Sequence, residues 1–345
     1  MERTTDPGRH KTLYSILAVV LLVWGVLGAR EITQQPYTGY TLSADNVVTQ
    51  VRAGSPLEAA GLRVGDTVTE IDGGSVESVA AFFERGRPEI GSQGTVTVTR
   101  DGSEQTLTFA YGAQPTADLV ATSGVGTVIG TAFLVLGLLV YLRRQTRLSS
   151  LLCALSLMLA LVYLPAPFIA SIGLRKVVAA VVQLIIGVML ATLLYYCLNF
   201  PRTRELVASR PWLRQAIFII APLVGLIFAL INLTTPDISA TNSMILNSVA
   251  GLIYGAYLVL AIVGVIVSVA RSSAEERRAG GLNLLMAGLV VGWGPLVIGL
   301  LYHTLAPHAG DLPGERFWGI TAVAVPLGMA LALMRLESAR TTAKA

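Results

Sequence analysis

Long apolar runs, separated by short polar segments, make up most of the 345-residue chain. A helix that crosses a bilayer needs about 20 mostly apolar residues, and eight runs approach or reach that length. The first covers residues 12–29. The other seven follow residue 116, at 121–142, 148–169, 177–200, 215–233, 244–270, 281–302 and 317–336. The pattern predicts a multi-pass α-helical membrane protein with about eight spans, seven of them in one domain at 117–336.

The first apolar run permits two interpretations. A basic start, an apolar stretch and small residues at its end also describe a secretory signal peptide. The run of about 18 residues is longer than the usual apolar core of such peptides. We therefore expect a retained transmembrane anchor over residues 12–29, preceded by a cytoplasmic tail at 1–11.

The basic residues between the runs predict an orientation, because short cytoplasmic loops of membrane proteins are enriched in Lys and Arg. With the N-terminus inside, the inside segments hold sixteen Lys and Arg, and the short outside loops hold three. Eight spans then return the C-terminus to the inside, as a short cytoplasmic tail at 337–345. The formal net charge of +4 is thus a basic inner face partly offset by an acidic outer face. That distribution suits anionic lipids and argues against nucleic acid as a partner.

The charged residues, 13% of the chain, are about half the share of a soluble domain. They are more frequent in residues 30–116 than in the apolar runs. Within 30–116, apolar and polar residues alternate between Gly and Asp turns. We expect a small β-sheet with one helical turn at 57–60 and one longer helix over 75–87. Strands are predicted at 46–51, 67–71, 95–99 and 106–111. The positive-inside bias places this domain on the extracytoplasmic side.

Within this domain, four short motifs follow one another in order. They are Gly54-Ser55-Pro56, Ala59-Ala60-Gly61-Leu62, Val64-Gly65-Asp66 and Glu70-Ile71-Asp72-Gly73. Their order resembles the PDZ domains of bacterial envelope proteases, although Asp72 stands where those domains usually have Asn. The resemblance implies that an extended peptide adds a strand to a sheet edge, with its terminal carboxylate held by backbone N–H groups.

The resemblance also implies which residues bind the peptide. The carboxylate loop is Thr38-Gly39-Tyr40-Thr41-Leu42, in which Gly39 lets the backbone turn so that successive N–H groups point at an anion. The peptide would lie along residues 40–43, against the helix that carries Val79 and Phe83. In the alternative interpretation, Val79 and Phe83 are core residues and the groove is vestigial.

The membrane part carries no pattern of a known reaction. No glutamate follows any of the three histidines, as a His-Glu-x-x-His zinc site would require, and no phosphate-binding or kinase motif occurs. We expect no catalytic residue, no metal, no cofactor and no enzymatic activity.

Cys153 and Cys197 lie in apolar runs, which predicts buried free thiols. Pro222 interrupts a span, which is tolerated where neighbouring groups satisfy the freed backbone.

Small residues in the second span predict close helix packing. They are Gly124, Gly126, Gly130 and Gly137.

A second resemblance rests on Tyr195-Tyr196-Cys197-Leu198-Asn199-Phe200-Pro201, followed by Arg202 and Arg204. The run is similar to an aromatic segment of bacterial peptide-pheromone sensors, which join an anchor helix, a PDZ domain, about seven helices and a cytoplasmic histidine kinase. Those sensors usually have a His near Tyr195, and this chain has none there. Only nine residues follow Leu336, too few for a kinase, so the output would need a separate protein.

The leading hypothesis is a non-enzymatic sensor or scaffold in the bacterial inner membrane. Its PDZ domain would capture a peptide or protein C-terminus outside, and its helices would signal to a cytoplasmic partner such as a histidine kinase. Two alternatives stay open at this point. One is a transporter or lipid-handling protein with an accessory PDZ domain, and the other is a substrate adaptor for an envelope protease.

Overall fold

The computed structural model describes residues 7–43, 45–77, 86–201, 209–234, 240–305 and 312–342. A long helix, α1 (Pro7–Ile32), leads into a small β domain, and a bundle of apolar helices follows. The strands of the β domain are β1 (Pro36–Tyr37), β2 (Tyr40–Leu42), β3 (Val48–Val51), β4 (Thr67–Ile71), β5 (Gly74–Ser75), β6 (Gln93–Arg100), β7 (Ser103–Ala110) and β8 (Gly112–Ala113). Between β3 and β4 lies a single helical turn, α2 (Pro56–Ala59).

The strands form three antiparallel sheets, in the orders β5-β4-β6-β7, β2-β3 and β1-β8. Two hairpins turn on Asp-Gly pairs in which both residues have positive φ, 52° and 73° at Asp72 and Gly73, and 51° and 77° at Asp101 and Gly102. Type I′ turns need that geometry. The predicted turns and the strand at 67–71 are therefore confirmed.

One predicted strand is shorter than expected. The sequence predicts it from residue 46, whereas β3 begins at Val48. Asn46 has a left-handed φ of 59°, and the Ser43 Oγ accepts a hydrogen bond from the Val47 amide at 3.1 Å. A side-chain-supported turn therefore occupies the first two predicted strand positions. The helix predicted over 75–87 is wrong at both of its described ends, because Ser75 belongs to β5 and residues 76–77 and 86–87 are not helical. Its middle, 78–85, lies outside the described residues.

The bundle follows from a helical turn at Thr116–Leu119 and a π-helical turn at Val120–Gly124. Its long helices are α3 (Val125–Arg143), α4 (Arg147–Tyr163), α5 (Ile172–Asn199), α6 (Pro211–Thr234), α7 (Ala240–Arg271), α8 (Leu282–Leu305) and α9 (Ala324–Thr342). Six helices among the described residues are long and apolar enough to cross a membrane. They cover Lys11–Ile32, Val125–Arg143, Ile172–Asn199, Pro211–Thr234, Ser248–Arg271 and Phe317–Ala339. These six indicate a membrane protein, while the eight spans and their orientation stay predictions.

Glycines bring α3 and α4 into close contact, as predicted. A Cβ added at Gly126, Gly130 or Gly137 would collide with α4 or with the residue that follows it. Gly124 is different, because its nearest atoms belong to its own π-helical turn, at 3.7 Å or more. The packing prediction is confirmed at three of the four glycines. The two cysteines are buried and free, also as predicted.

A neighbouring helix contacts the backbone of α6 beside the break at Pro222. Proline removes a backbone donor and displaces the preceding turn. The Tyr257 hydroxyl of α7 donates to the Ile217 carbonyl at 2.9 Å and accepts from the Ala221 amide at 3.3 Å. A side chain from α7 therefore bonds the backbone of α6 in the turn that precedes Pro222, which ties the two helices together at the break.

Three segments that the charge pattern assigns to the same side meet at one end of the bundle. The Thr146 hydroxyl donates to the Glu337 carboxylate at 2.5 Å, and the Arg335 Nε donates to the Arg278 carbonyl at 2.7 Å. The β domain contacts the bundle at the opposite end, beyond the last turn of α4.

Candidate peptide-binding groove

A tight loop before β2 is built around Gly39. This glycine is buried and has a φ of 83°, which an L side chain rarely adopts. A Cβ there would collide with Ser55 and would lie 3.0 Å from the Tyr37 Oη. Both the backbone conformation and the space behind it therefore require glycine.

The loop presents its amides on one side because its carbonyls are bound on the other. The Leu57 amide donates to the Thr38 carbonyl at 3.3 Å, and the Arg52 amide donates to the Gly39 carbonyl at 2.9 Å. In a trans peptide the C=O and the following N–H point in opposite directions. The Gly39 and Tyr40 amides consequently point away from α2 and β3, as an anion-binding loop of backbone N–H groups requires.

The Gly54-Ser55-Pro56 motif holds this loop in place. Ser55 is 2% exposed and caps α2, with its Oγ accepting from the Glu58 amide at 3.2 Å. The Glu58 carboxylate accepts in turn from the Gly54 amide at 2.6 Å. The capped turn fixes Leu57, whose amide binds the loop carbonyl, so the motif has a local physical role in shaping the site.

Strand β2 continues from the loop and pairs, among the described residues, with β3 alone. Tyr40 and Leu42 pack against the domain core, while Thr41 faces outward. The structure therefore places Thr38 to Leu42 in one loop and strand, while their role in binding a peptide stays a prediction. The two predicted helix residues, Val79 and Phe83, lie outside the described residues, and their role stays a prediction.

Charged pairs stabilise the domain behind the groove. The Arg100 guanidinium donates to both Asp66 oxygens, at 2.7 and 2.6 Å. These hydrogen bonds hold the pKa of the Asp66 carboxyl below its ordinary value, helped by the Arg63 amide. Asp66 belongs to the Gly-Asp motif, so this motif also has a structural explanation.

Asp72, the departure from the family pattern, has a defined role. Its two carboxylate oxygens accept from the Thr95 amide at 2.9 Å and from the Tyr111 hydroxyl at 2.5 Å. A carboxylate thus serves both acceptor positions while the residue keeps the positive φ that the hairpin turn needs.

An ion pair that the sequence did not predict links the segment after β3 to the start of the helical bundle. The Arg52 side chain forms an ion pair with Asp118, just before the π-helical turn. The Asp118 side chain is 8% exposed and that of Arg52 is 44% exposed. The hydrogen bond to Asp118 raises the pKa of the Arg52 guanidinium. No local pattern pairs two residues so far apart in sequence, so only the fold reveals this contact.

A second link joins the other side of the domain to α1. The Arg87 guanidinium donates to the Glu31 carbonyl at 2.6 Å and to the Gln34 carbonyl at 3.2 Å, and forms an ion pair with the Glu31 carboxylate at 3.2 Å. The same carboxylate accepts from the Phe168 amide at 2.8 Å. Arg87 lies just after the predicted groove residues 78–85, so this contact holds the segment at 86–88 against α1 and the bundle.

Comparison with known proteins supports the fold of this domain. Residues 25–110 match the PDZ domain family, which binds extended peptides and protein C-termini. None of the curated proteins is similar in sequence to this chain. Among the described residues, no three His, Cys, Asp or Glu side chains lie together as a metal site would need. A PDZ domain indicates peptide or protein binding, whereas the resemblance to sensor proteins stays a hypothesis.

Proposed function

We propose that this chain is a non-enzymatic membrane sensor or scaffold of the bacterial inner membrane. Its PDZ domain captures a peptide or protein C-terminus on the extracytoplasmic side, and its helices relay that event to a cytoplasmic partner such as a histidine kinase. The observation that supports the capture step is the Gly39 loop, whose carbonyls are bound by amides of Leu57 and Arg52, so that its own amides point away from α2 and β3.

In the proposed complex the peptide adds a strand to the edge of β2 that pairs with no other strand among the described residues. The Gly39 and Tyr40 amides donate to the terminal carboxylate, and the backbone of β2 pairs with the peptide backbone. Specificity then comes from side chains around the groove, including the predicted helix residues Val79 and Phe83. A free C-terminal carboxylate is the feature that this loop reads.

The relay step is supported by the geometry around Arg52. Its amide holds the Gly39 carbonyl, and its side chain pairs with Asp118 at the entrance to the bundle. The π-helical turn at Val120–Gly124 follows directly, and such turns often occur at functional sites. A peptide shifts the bundle only if it binds two states unequally, and this chain of contacts is where the two states would differ.

Capture and relay are tested separately. Full-length protein is screened against a C-terminal peptide library, and each binding peptide is compared with its C-terminal amide. Hydrogen exchange at 116–125 is then measured with and without peptide. We expect binding to depend on the free carboxylate and exchange at 116–125 to change on binding. Carboxylate-dependent binding with unchanged exchange contradicts the relay and favours the adaptor function. The absence of any carboxylate-dependent binding contradicts the proposal.

A further inference from the structure

A cavity of about 600 Å³ lies where the β domain meets the bundle, a volume typical of small-molecule sites. We refer to it as the junction cavity. Its walls come from α1, α5, the segment after α4 and residues 86–88 of the β domain. The junction cavity is separate from the Gly39 loop, and peptide binding by a PDZ domain does not account for it.

The lining of the junction cavity includes charged side chains. Arg87, Arg175 and Glu31 line the cavity, so its described lining carries a net charge of +1. The guanidinium carbons of Arg87 and Arg175 each lie 5.6 Å from the centre of the Phe168 ring. The Glu31 carboxylate already accepts from Arg87 and from the Phe168 amide. The electrostatics of this charged part of the lining therefore favour an anionic group.

The rest of the cavity follows the helices toward bilayer depth. Trp24 lies seven residues before Glu31 on α1, about 10 Å along the helix, and Gln183 lies eight residues after Arg175 on α5, about 12 Å. Between these levels the lining is apolar, with Val178, Ala179 and Val182. Both helices are long and apolar enough to cross a membrane.

We propose that the junction cavity binds an amphiphile with one anionic headgroup and an acyl chain. The headgroup lies at Arg175, and the chain runs between α1 and α5 toward Trp24. A peptide is disfavoured at this depth, because each of its backbone polar groups would need a partner away from water. An acyl chain carries no such groups and fits the apolar walls.

Quenching of tryptophan fluorescence tests this site, because Trp24 lines the cavity. The full chain in neutral detergent is titrated with 11-bromoundecanoic acid and with its uncharged methyl ester. We expect saturable quenching by the acid that is lost in Trp24→Phe, and weak, non-saturable quenching by the ester. Quenching that is linear and equal for acid and ester would overturn the proposal.

Variants locate the headgroup and the chain. Arg175→Gln should raise the half-saturating acid concentration about ten- to a hundredfold, the range for losing one hydrogen bond to a charged group. Arg147→Gln, which removes an arginine bonded to Tyr195 at the other end of the bundle, should leave it unchanged. Ala179→Phe fills the cavity and should abolish saturation. An unchanged response in both cavity variants contradicts the site.

A further titration distinguishes two ligands that share an anionic headgroup and an acyl chain, a phospholipid and a free fatty acid. Brominated phosphatidylglycerol is compared with the bromo acid at equal concentration. Saturation at a lower concentration by the phospholipid identifies a lipid headgroup as the natural ligand class. Saturation by the acid alone identifies a free fatty acid. Saturation by neither contradicts the proposal.

Discussion

Arg52 and Asp118 form an ion pair that joins the peptide loop of the PDZ domain to the first turn of the helical bundle. The Arg52 backbone amide holds the Gly39 carbonyl at 2.9 Å, so a single residue contacts both the loop and the bundle. Asp118 is almost fully buried, whereas Arg52 is partly open to solvent. This relationship is the most direct physical route between the proposed capture site and the helices.

The first prediction concerns this pair. Arg52→Gln and Asp118→Asn should each increase hydrogen exchange at 116–125 in the full chain, because the bundle entrance loses its tie to the β domain. In a double-mutant cycle the coupling free energy should be about 1 kcal/mol, the upper range for a partly exposed pair. Arg63→Gln, at an exposed arginine of the same domain, serves as the control. Additive effects of the two variants would contradict a direct coupling.

The second prediction concerns pH. The pKa of Asp66 is lowered by hydrogen bonds from Arg100, so the charged pair stabilises the folded domain above the ordinary Asp value of about 3.9. That stabilisation is lost as the pH falls through the lowered folded-state pKa. Asp66→Asn should destabilise the domain by about 2 kcal/mol at neutral pH, and the loss should shrink in acid.

Hydrogen exchange of β6 and β7 in the full chain, measured across pH, checks the Asp66 prediction. Asp101→Asn is a matched control, since Asp101 lies in an exposed turn. A difference between Asp66→Asn and the wild type that stays constant down to pH 3 would rule out the linkage.

The third prediction concerns the break in α6. Tyr257→Phe removes the hydroxyl that bonds Ile217 and Ala221, and it should cost about 1 kcal/mol, as for other hydrogen bonds between membrane helices. The Tyr254 hydroxyl on the same helix is buried and has no hydrogen-bond partner among the described residues. Tyr254→Phe should therefore cost nothing. Thermal unfolding in one detergent compares the two variants, and equal losses would refute the role of Tyr257.

The fourth prediction concerns the contact between α5 and α6. A Cβ at Gly187 would lie 2.8 Å from the Pro222 Cα, so Gly187→Val should force the helices apart and cost about 2 kcal/mol. Gly251→Val is the control, because nothing lies within 4 Å of a Cβ at Gly251. Thermal unfolding compares the two variants. A larger decrease in Tm for Gly251→Val than for Gly187→Val would contradict this packing.

Local features of the β domain could be predicted from the sequence because their causes are local. The Asp-Gly turns, the helical turn predicted at 57–60 and the position of Gly39 each depend on residues within a few positions. The predicted start of β3 was wrong by two residues, because Asn46 adopts a left-handed backbone conformation that strand propensity does not predict.

Contacts between distant segments could not be predicted in this way. Arg52 and Asp118 meet only because β8 returns the chain beside β1. Gly187 lies in an apolar run without a repeated glycine pattern, so its contact with α6 depends on how two helices cross. Gly124 was predicted to pack against another helix, but the π-helical turn leaves it in contact with its own segment.

The central claim is that the Gly39 loop captures a free C-terminus, and one binding measurement tests it most directly. A fluorescent peptide selected from the C-terminal library is titrated with full-length wild type, Gly39→Ala and Gly91→Ala. Gly91 shares a positive φ of 91° but has open space at its Cβ, so it controls for backbone strain. We predict at least tenfold weaker binding in Gly39→Ala, wild-type affinity in Gly91→Ala, and no binding of the amidated peptide to any of the three. Equal affinity of wild type and Gly39→Ala for the free-carboxylate peptide would contradict the account.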